Sequence, residues 1–253
     1  MQNTQQRRVA FVTGASRGIG QAVAVGLAQA GYDVVITDLA RQEADLRKTA
    51  GLITALDRKA YTYLADVSKK DEVDATVQAA LRDAGRIDVL VNNAGILKLS
   101  LLQDLDEATW DAHFDVNVKG VLLMCQAVVP HMRARKSGRV INIASIAGRQ
   151  GVANQGHYAA TKSAVITLTR VLAQEAGMDG ITVNAICPGI ILTEMGRNNL
   201  GSDEAVRHWE EVAALKRLGT PEDIVGPVCF FASEQSAFVT GQALNVCGGI
   251  YFH

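Results

Sequence analysis

The chain has 253 residues, 48% hydrophobic and 20% charged, with a formal net charge of -1. That size and apolar content suit one large domain with a well-buried core, and the near-neutral charge removes the electrostatic case for nucleic acid or an anionic membrane as partner. The longest apolar runs have strand length rather than membrane-span length, and the polar segment 1–8 lacks the apolar core of a signal peptide. In chain order, strands are predicted at 8–13, 33–37, 60–64, 88–91, 139–143, 182–186 and 243–246. Helices are predicted between them at 19–30, 41–56, 70–84, 107–134, 155–176 and 221–233. The strands are mostly continuous Val/Ile/Leu runs, as a parallel sheet covered on both faces requires. The expected fold is therefore α/β: a doubly wound, parallel, seven-stranded sheet with helices on both faces, in a single domain over 1–253. Only 189–219 departs from the alternation for long, and it is expected to be a substrate lid.

The first strand runs into Thr13-Gly14-Ala15-Ser16-Arg17-Gly18-Ile19-Gly20. A glycine turn opening a helix lets backbone N–H groups approach a pyrophosphate closely. The spacing is Gly-x3-Gly-x-Gly rather than the usual Gly-x-Gly-x-x-Gly. Asp38 follows Gly20 by eighteen residues, at the end of the second apolar strand. There a carboxylate can accept hydrogen bonds from an adenosine ribose and repel a 2′-phosphate; its plainer role is to cap a helix starting near Ala40.

Further along, Ser145 precedes Tyr158 by thirteen residues, and Lys162 lies one helical turn beyond it. A phenol ionises near pH ~10, so it needs a neighbouring cation to exchange protons at neutral pH. Lys162 supplies that cation, and a serine hydroxyl can position a substrate oxygen. The four cysteines, Cys125, Cys187, Cys229 and Cys247, have no Cys-x-x-Cys spacing and read as free thiols of a reducing cytosol, with no metal site. A cytoplasmic location is the expectation.

Taken together these motifs resemble the short-chain dehydrogenase/reductase family, of the single-domain type, essentially end to end. Thr13 to Gly20 resembles its cofactor turn, Asp66-Val67 its adenine contact, and Asn92-Asn93-Ala94-Gly95 its cofactor-contact loop. Asn117, Ser145, Tyr158 and Lys162 match its catalytic tetrad, and Pro188-Gly189 with Ile191 and Thr193 its nicotinamide contacts. The resemblance implies a Rossmann-type fold and hydride transfer between a nicotinamide cofactor and a secondary alcohol or ketone. It implies Tyr158 as general acid/base, Lys162 as its partner and a ribose ligand, and Asn117 as the holder of a relay water. It also implies a homotetramer with dihedral symmetry.

Asp38 favours NAD(H) over NADP(H), whereas Arg17 in the turn argues for a 2′-phosphate. The substrate wall is expected to include Ile146, Ala147, Gln150, Gln155, Ile190, Leu192 and Met195, which suits a small polyol, diol or hydroxy-carbonyl compound. The run Ile186-Cys187-Pro188-Gly189-Ile190 resembles the family's polyol and diol dehydrogenases. The glycine turn equally resembles its NADPH-dependent 3-oxoacyl-carrier-protein reductases, for which Arg133, Arg135, Lys136 and Arg139 are a docking surface or a solvated helix end. A non-catalytic nucleotide sensor on the same fold is the remote alternative, and the complete tetrad argues against it. His157 is expected to line the pocket or the surface, Asn117 to face solvent or mark a helix kink on local pattern alone, and Asn92 to tie neighbouring strands. The aromatic tail 248–253 is expected to pack at a subunit interface.

Overall fold

The computed structural model describes residues 7–252. The segment read as lacking a signal peptide (all but its last two residues) and His253 of the tail fall outside that range. Among the described residues seven strands form one parallel sheet: β1 (Val9–Thr13), β2 (Asp33–Asp38), β3 (Ala60–Leu64), β4 (Val89–Asn92), β5 (Gly138–Ile143), β6 (Ile181–Pro188) and β7 (Ala243–Val246). Their order is β3-β2-β1-β4-β5-β6-β7, so the chain reverses direction across the sheet between β1 and β4. Ligand crevices of open α/β sheets form at such a switch, outside the carboxyl ends of the strands.

Ten helices occur among the described residues, α1 (Gly18–Gln29), α2 (Glu43–Thr54), α3 (Lys70–Ala84), α4 (Glu107–Phe114), α5 (Gly120–Ala134), α6 (Ala147–Gln150), α7 (Gly156–Ala176), α8 (Glu194–Leu200), α9 (Asp203–Val212) and α10 (Glu222–Ala232), and α1, α2, α3, α5, α7 and α10 pack on the sheet. Successive strand residues point to opposite faces, and the two faces form two cores. Phe11, Val35, Leu90 and Val140 pack with Val73 and Val77 of α3, Met124 and Val128 of α5, and Val165 of α7. Val12, Val34, Ile36 and Val91 pack with Val23 and Leu27 of α1, Leu46 of α2, and Ile224 and Phe231 of α10. Each such fully buried side chain contributes about 1.5–3 kcal/mol, and this two-sided burial is why the strands read as unbroken apolar runs.

Strand and helix positions match the sequence expectation to within two residues, except at three places. The helix expected over 107–134 is two helices joined by a π-helical turn, Asp115–Lys119. The segment 189–219 carries α8 and α9, and its ends are tied together by Leu192 N to Gly219 O (2.8 Å) and Gly219 N to Ile190 O (3.0 Å). The short α6, just after β5, has no periodic pattern to betray it. As expected, Asn92 Nδ2 donates to Asn142 Oδ1 on β5 (2.9 Å), and Asn142 Nδ2 donates in turn to Thr169 Oγ1 on α7 (2.9 Å). Among the described residues no helix is long and apolar enough to cross a membrane.

Candidate active site

A cleft of about 1180 Å³ opens at the carboxyl ends of the strands. Its floor joins the β1 turn to the β4 loop. Thr13 Oγ1 accepts from Asn93 N (3.0 Å) and Ala94 N (3.1 Å), while Asn93 Nδ2 donates to Thr13 O and Gly14 O, both at 2.9 Å. Backbone and turn approach so closely that side chains are excluded. A Cβ on Gly14, whose φ is +64°, would stand 2.8 Å from Ala94 Cα, and one on Gly20 would stand 2.0 Å from Gly14 O. α1 begins at this turn with no side-chain cap and no acidic residue in its first turn. Its first N–H groups and the positive end of its dipole therefore face the cleft uncompensated, which fits an anionic pyrophosphate.

Gly14, Ser16, Arg17, Gly18, Ile19, Gly20, Asp38, Asp66, Val67, Asn93, Ala94, Gly95, Pro188, Gly189, Ile191 and Thr193 all line this cleft together with Ser145, Tyr158 and Lys162. Asp38 does not cap a helix: Oδ2 accepts from Ser16 N (3.1 Å) and Oδ1 from Leu39 N (2.8 Å). Arg17 turns away from Asp38 and ion-pairs with Glu194 at the start of α8. Asp66 Oδ1 accepts from Ser68 N (2.9 Å) and Ser68 Oγ (2.7 Å), which fixes that stretch of wall.

Tyr158 and Lys162 lie one turn apart on α7, with the Lys162 ammonium 5.6 Å from the Tyr158 ring centroid. Ser145 hydrogen-bonds the Tyr158 hydroxyl, and its Oγ also accepts from Ala147 N (3.1 Å). Lys162 Nζ donates to Ile143 O (2.8 Å). Burial pushes the Tyr158 phenol up to about 12, against the opposing pull of the Ser145 hydrogen bond. Burial also pushes Lys162 down to about 8, partly offset by the Cys187 sulfur. Burial is the largest influence on both groups.

Asn117 corrects its local reading. It sits in the π-helical turn and is fully buried rather than solvent-facing. The extra residue of such a turn re-aims the side chain. Oδ1 accepts from Ile96 N (2.8 Å), and Nδ2 donates to Ile96 O (3.0 Å) and Thr161 Oγ1 (3.1 Å). Of the expected substrate wall, Ile146, Gln150, Gln155, Ile190 and Met195 line the cleft, but Ala147 and Leu192 do not. Ala147, at the start of α6, is 4% exposed and packed inward.

His157 neither lines the cleft nor reaches the surface. It is fully buried and meets His113 of α4 edge-on, with ring centroids 4.3 Å apart. One helical position from Tyr158 turns its side chain away from the cleft, onto a neighbouring helix. The basic cluster is ion-paired: Arg133 and Lys136, both exposed, pair with Asp179, Arg135 with Asp88, and Arg139 with Glu234. It also stands at the start of β5, opposite the end that carries Ser145. The tail, as far as Phe252, folds back on its own chain: Asn245 Nδ2 (3.4 Å) and Cys247 Sγ (3.5 Å) bond Tyr251 O, and Ile250 lines the cleft.

Sequence reasoning missed Leu97, Leu99, Val152, Asn154, Asn199 and Trp209 of the lining. They come from loops and from α8 and α9, where no spacing rule marks a wall. Gln155 Nε2 donates to Asn199 Oδ1 (3.1 Å), joining the entrance of α7 to α8. No cluster of three or more His, Cys, Asp or Glu side chains that could hold a metal ion occurs among the described residues.

A family profile described as enoyl-(acyl carrier protein) reductase matches residues 14–251. The chain is 41% identical over 242 residues to a 3-oxoacyl-[acyl-carrier-protein] reductase of Staphylococcus epidermidis, covering 96% of this chain and 98% of that one. It is 41% identical over 244 residues to the (2S)-[(R)-hydroxy(phenyl)methyl]succinyl-CoA dehydrogenase subunit BbsD of Thauera aromatica, covering 96% of each. Among solved structures it superposes on levodione reductase with a TM-score of 0.92, at 35% identity and over 96% of each chain. A protein assigned as a short-chain alcohol dehydrogenase from Sinorhizobium meliloti gives the same TM-score at 36% identity, again over 96% of each chain.

Proposed function

The chain belongs to the short-chain dehydrogenase/reductase family and is an NAD(P)-dependent oxidoreductase acting on CH–OH groups, and from that premise we propose that it uses NAD(H) on small secondary alcohols and ketones. The favoured substrates are polyols, diols and hydroxy-carbonyl compounds. The chain works as one nucleotide-binding and catalytic domain, with 189–219 as the lid over the substrate. The family assembly, a homotetramer, is carried with this reading; Leu122 of α5 and Val171 of α7 leave apolar surface for it, each 43% exposed.

Asp38 carries the cofactor preference. Its carboxylate is held by two backbone N–H groups and has no ion-pair partner among the described residues. A 2′-phosphate placed beside it meets like-charge repulsion of several kcal/mol. Arg17, the group in the turn able to offset this, is committed to Glu194.

The glycine turn, the α1 N-terminus, Asp38, Asp66 and Val67 hold the adenosine and pyrophosphate; Asn93 to Gly95, Pro188, Gly189, Ile191 and Thr193 hold the nicotinamide half. Bound there, the nicotinamide ring supplies or accepts the hydride. Tyr158 donates its proton to the oxygen of a ketone being reduced, and takes the proton from an alcohol being oxidised. Ser145 orients that oxygen. Lys162 stabilises the phenolate left after donation and hydrogen-bonds the nicotinamide ribose. Asn117 has both amide protons engaged and one Oδ1 bond made, leaving an acceptor position for the relay water.

A second reading, reduction of 3-oxoacyl thioesters, is favoured by the name of the 41%-identical Staphylococcus epidermidis relative. Asp38 and the committed basic cluster weigh against a carrier-bound, NADPH-linked version of it. The test is Asp38→Ala. We expect the ratio of kcat/KM with NADP(H) to that with NAD(H) to rise at least about tenfold, in keeping with the repulsion removed. An unchanged ratio rejects the assignment.

A further inference from the structure

His157 adjoins Tyr158 but takes no part in the reaction proposed above. Its ring is fully buried, and neither nitrogen has a hydrogen-bond partner. It packs against His113 at an interplanar angle of 88°. His113 is 2% exposed and has both nitrogens engaged. Nδ1 meets Thr109 O at 2.7 Å, and Nε2 accepts from Lys98 N at 3.1 Å. A carbonyl oxygen only accepts, so Nδ1 carries the proton and the Nε2 lone pair faces the Lys98 N–H. This arrangement needs a neutral imidazole.

Lys98 belongs to a segment whose Ile96, Leu97 and Leu99 line the cleft. The backbone of that segment is tied to the body at three residues. Asn117 clamps Ile96 from both sides, Ser100 N donates to Asn154 O (2.9 Å), and His113 holds Lys98. Of these backbone ties only that of His113 can titrate; the Lys98 side chain adds a bond to Thr109 Oγ1 (3.1 Å) and an ion pair with Asp106 (3.8 Å). We propose that His113 is a positioning residue: as a neutral imidazole it holds segment 96–101 in place as a wall of the substrate cleft, and its protonation releases that wall. The proposal rests on reading this cleft as the substrate site.

A protonated His113 carries an N–H at both nitrogens, so Nε2–H would oppose the Lys98 N–H and the bond would be lost. The titratable and charged groups facing His113 are His157 from α7 and Lys98 from the wall, whose ammonium is 3.8 Å from Asp106. Burial disfavours the second proton, the Thr109 carbonyl favours it, and the His157 ring and the Lys98 charge again disfavour it. The net effect holds His113 below the ordinary histidine value, so the wall is fixed at neutral pH and freed on acidification.

The test pairs hydrogen exchange at the Lys98 amide with steady-state kinetics, in the intact protein and in His113→Gln and His113→Leu. The Gln oxygen accepts from Lys98 N–H but does not titrate; Leu fills space without accepting. In the native protein we expect Lys98 protection, corrected for intrinsic exchange, to fall about two- to tenfold on acidification through the His113 transition. Substrate KM should rise by a similar factor while kcat changes less. In His113→Gln, protection and KM should be flat over that range, and in His113→Leu protection should be low throughout. Lys98 protection indifferent to pH in the native protein overturns the clamp, even should a variant fail to fold. Protection that follows His113 while KM stays flat overturns the assignment of this segment as a substrate wall, leaving the clamp itself standing.

Discussion

Lys162 provides the most direct conflict between stability and function in this site. Its pKa is pushed down to about 8 from an ordinary 10.5 by burial. At about 1.36 kcal/mol per unit, carrying the charged form into the fold costs about 3 kcal/mol at neutral pH. Lys162→Met removes that cost. It also removes the hydrogen bond to Ile143 O and leaves the carbonyl unpartnered, a loss of about 1–3 kcal/mol. The variant should therefore match the native protein at pH 7 or exceed it by up to about 2 kcal/mol, while losing turnover. The pH dependence sharpens the test. Because the folded pKa lies below the unfolded one, the unfolded chain binds the extra proton between them, and native stability rises with pH across the interval from about 8 to 10.5. The variant lacks this rise, so its relative advantage should shrink by about 3 kcal/mol over the interval. Urea denaturation of both proteins, free of nucleotide and measured across that range, reads the difference directly. A variant more than about 2 kcal/mol less stable at pH 7, or a difference that does not vary with pH, would refute the reasoning.

Tyr158→Phe should lower kcat by about 10²–10⁴ while leaving nucleotide affinity within a few-fold, since the phenol is assigned to proton transfer. Nucleotide fluorescence titration beside steady-state rates checks both parts, and retained turnover would remove Tyr158 from the chemistry. Gly20→Ala places a Cβ 2.0 Å from Gly14 O, so the cofactor turn must deform. Equilibrium binding of NADH should weaken at least about tenfold, given how closely backbone must approach the pyrophosphate; native-like affinity would mean that the turn is not its cradle.

What could be read from the sequence follows from how local each signal is. Val34, Val35 and Ile36 announce a buried strand because burial on both faces leaves no polar position, so the parallel sheet was legible. Gly14, Gly18 and Gly20 were legible because only glycine permits such close approach. Tyr158 and Lys162 were legible because helical spacing places them on one face. The depth of Asn117 was not, since it depends on a π-helical turn that no periodicity marks. The burial of His157 was not legible for a related reason: its partner, His113, lies on another element. The rest of the cleft lining, drawn from loops and from α8 and α9, carries no spacing signal.

The central claim is an NAD(H)-linked exchange of hydride with a small secondary alcohol or ketone. The measurement that bears on it most directly is initial-rate nicotinamide absorbance with NAD+ and NADP+ in parallel, and with both reduced cofactors, across diols, polyols, sugars, hydroxysteroids and β-hydroxyacyl or β-ketoacyl thioesters. The account predicts turnover of a diol or polyol with NAD+, abolished in Tyr158→Phe. Preferential reduction of a β-ketoacyl thioester with NADPH would contradict it, and would mean that Arg17 rather than Asp38 governs the choice of cofactor.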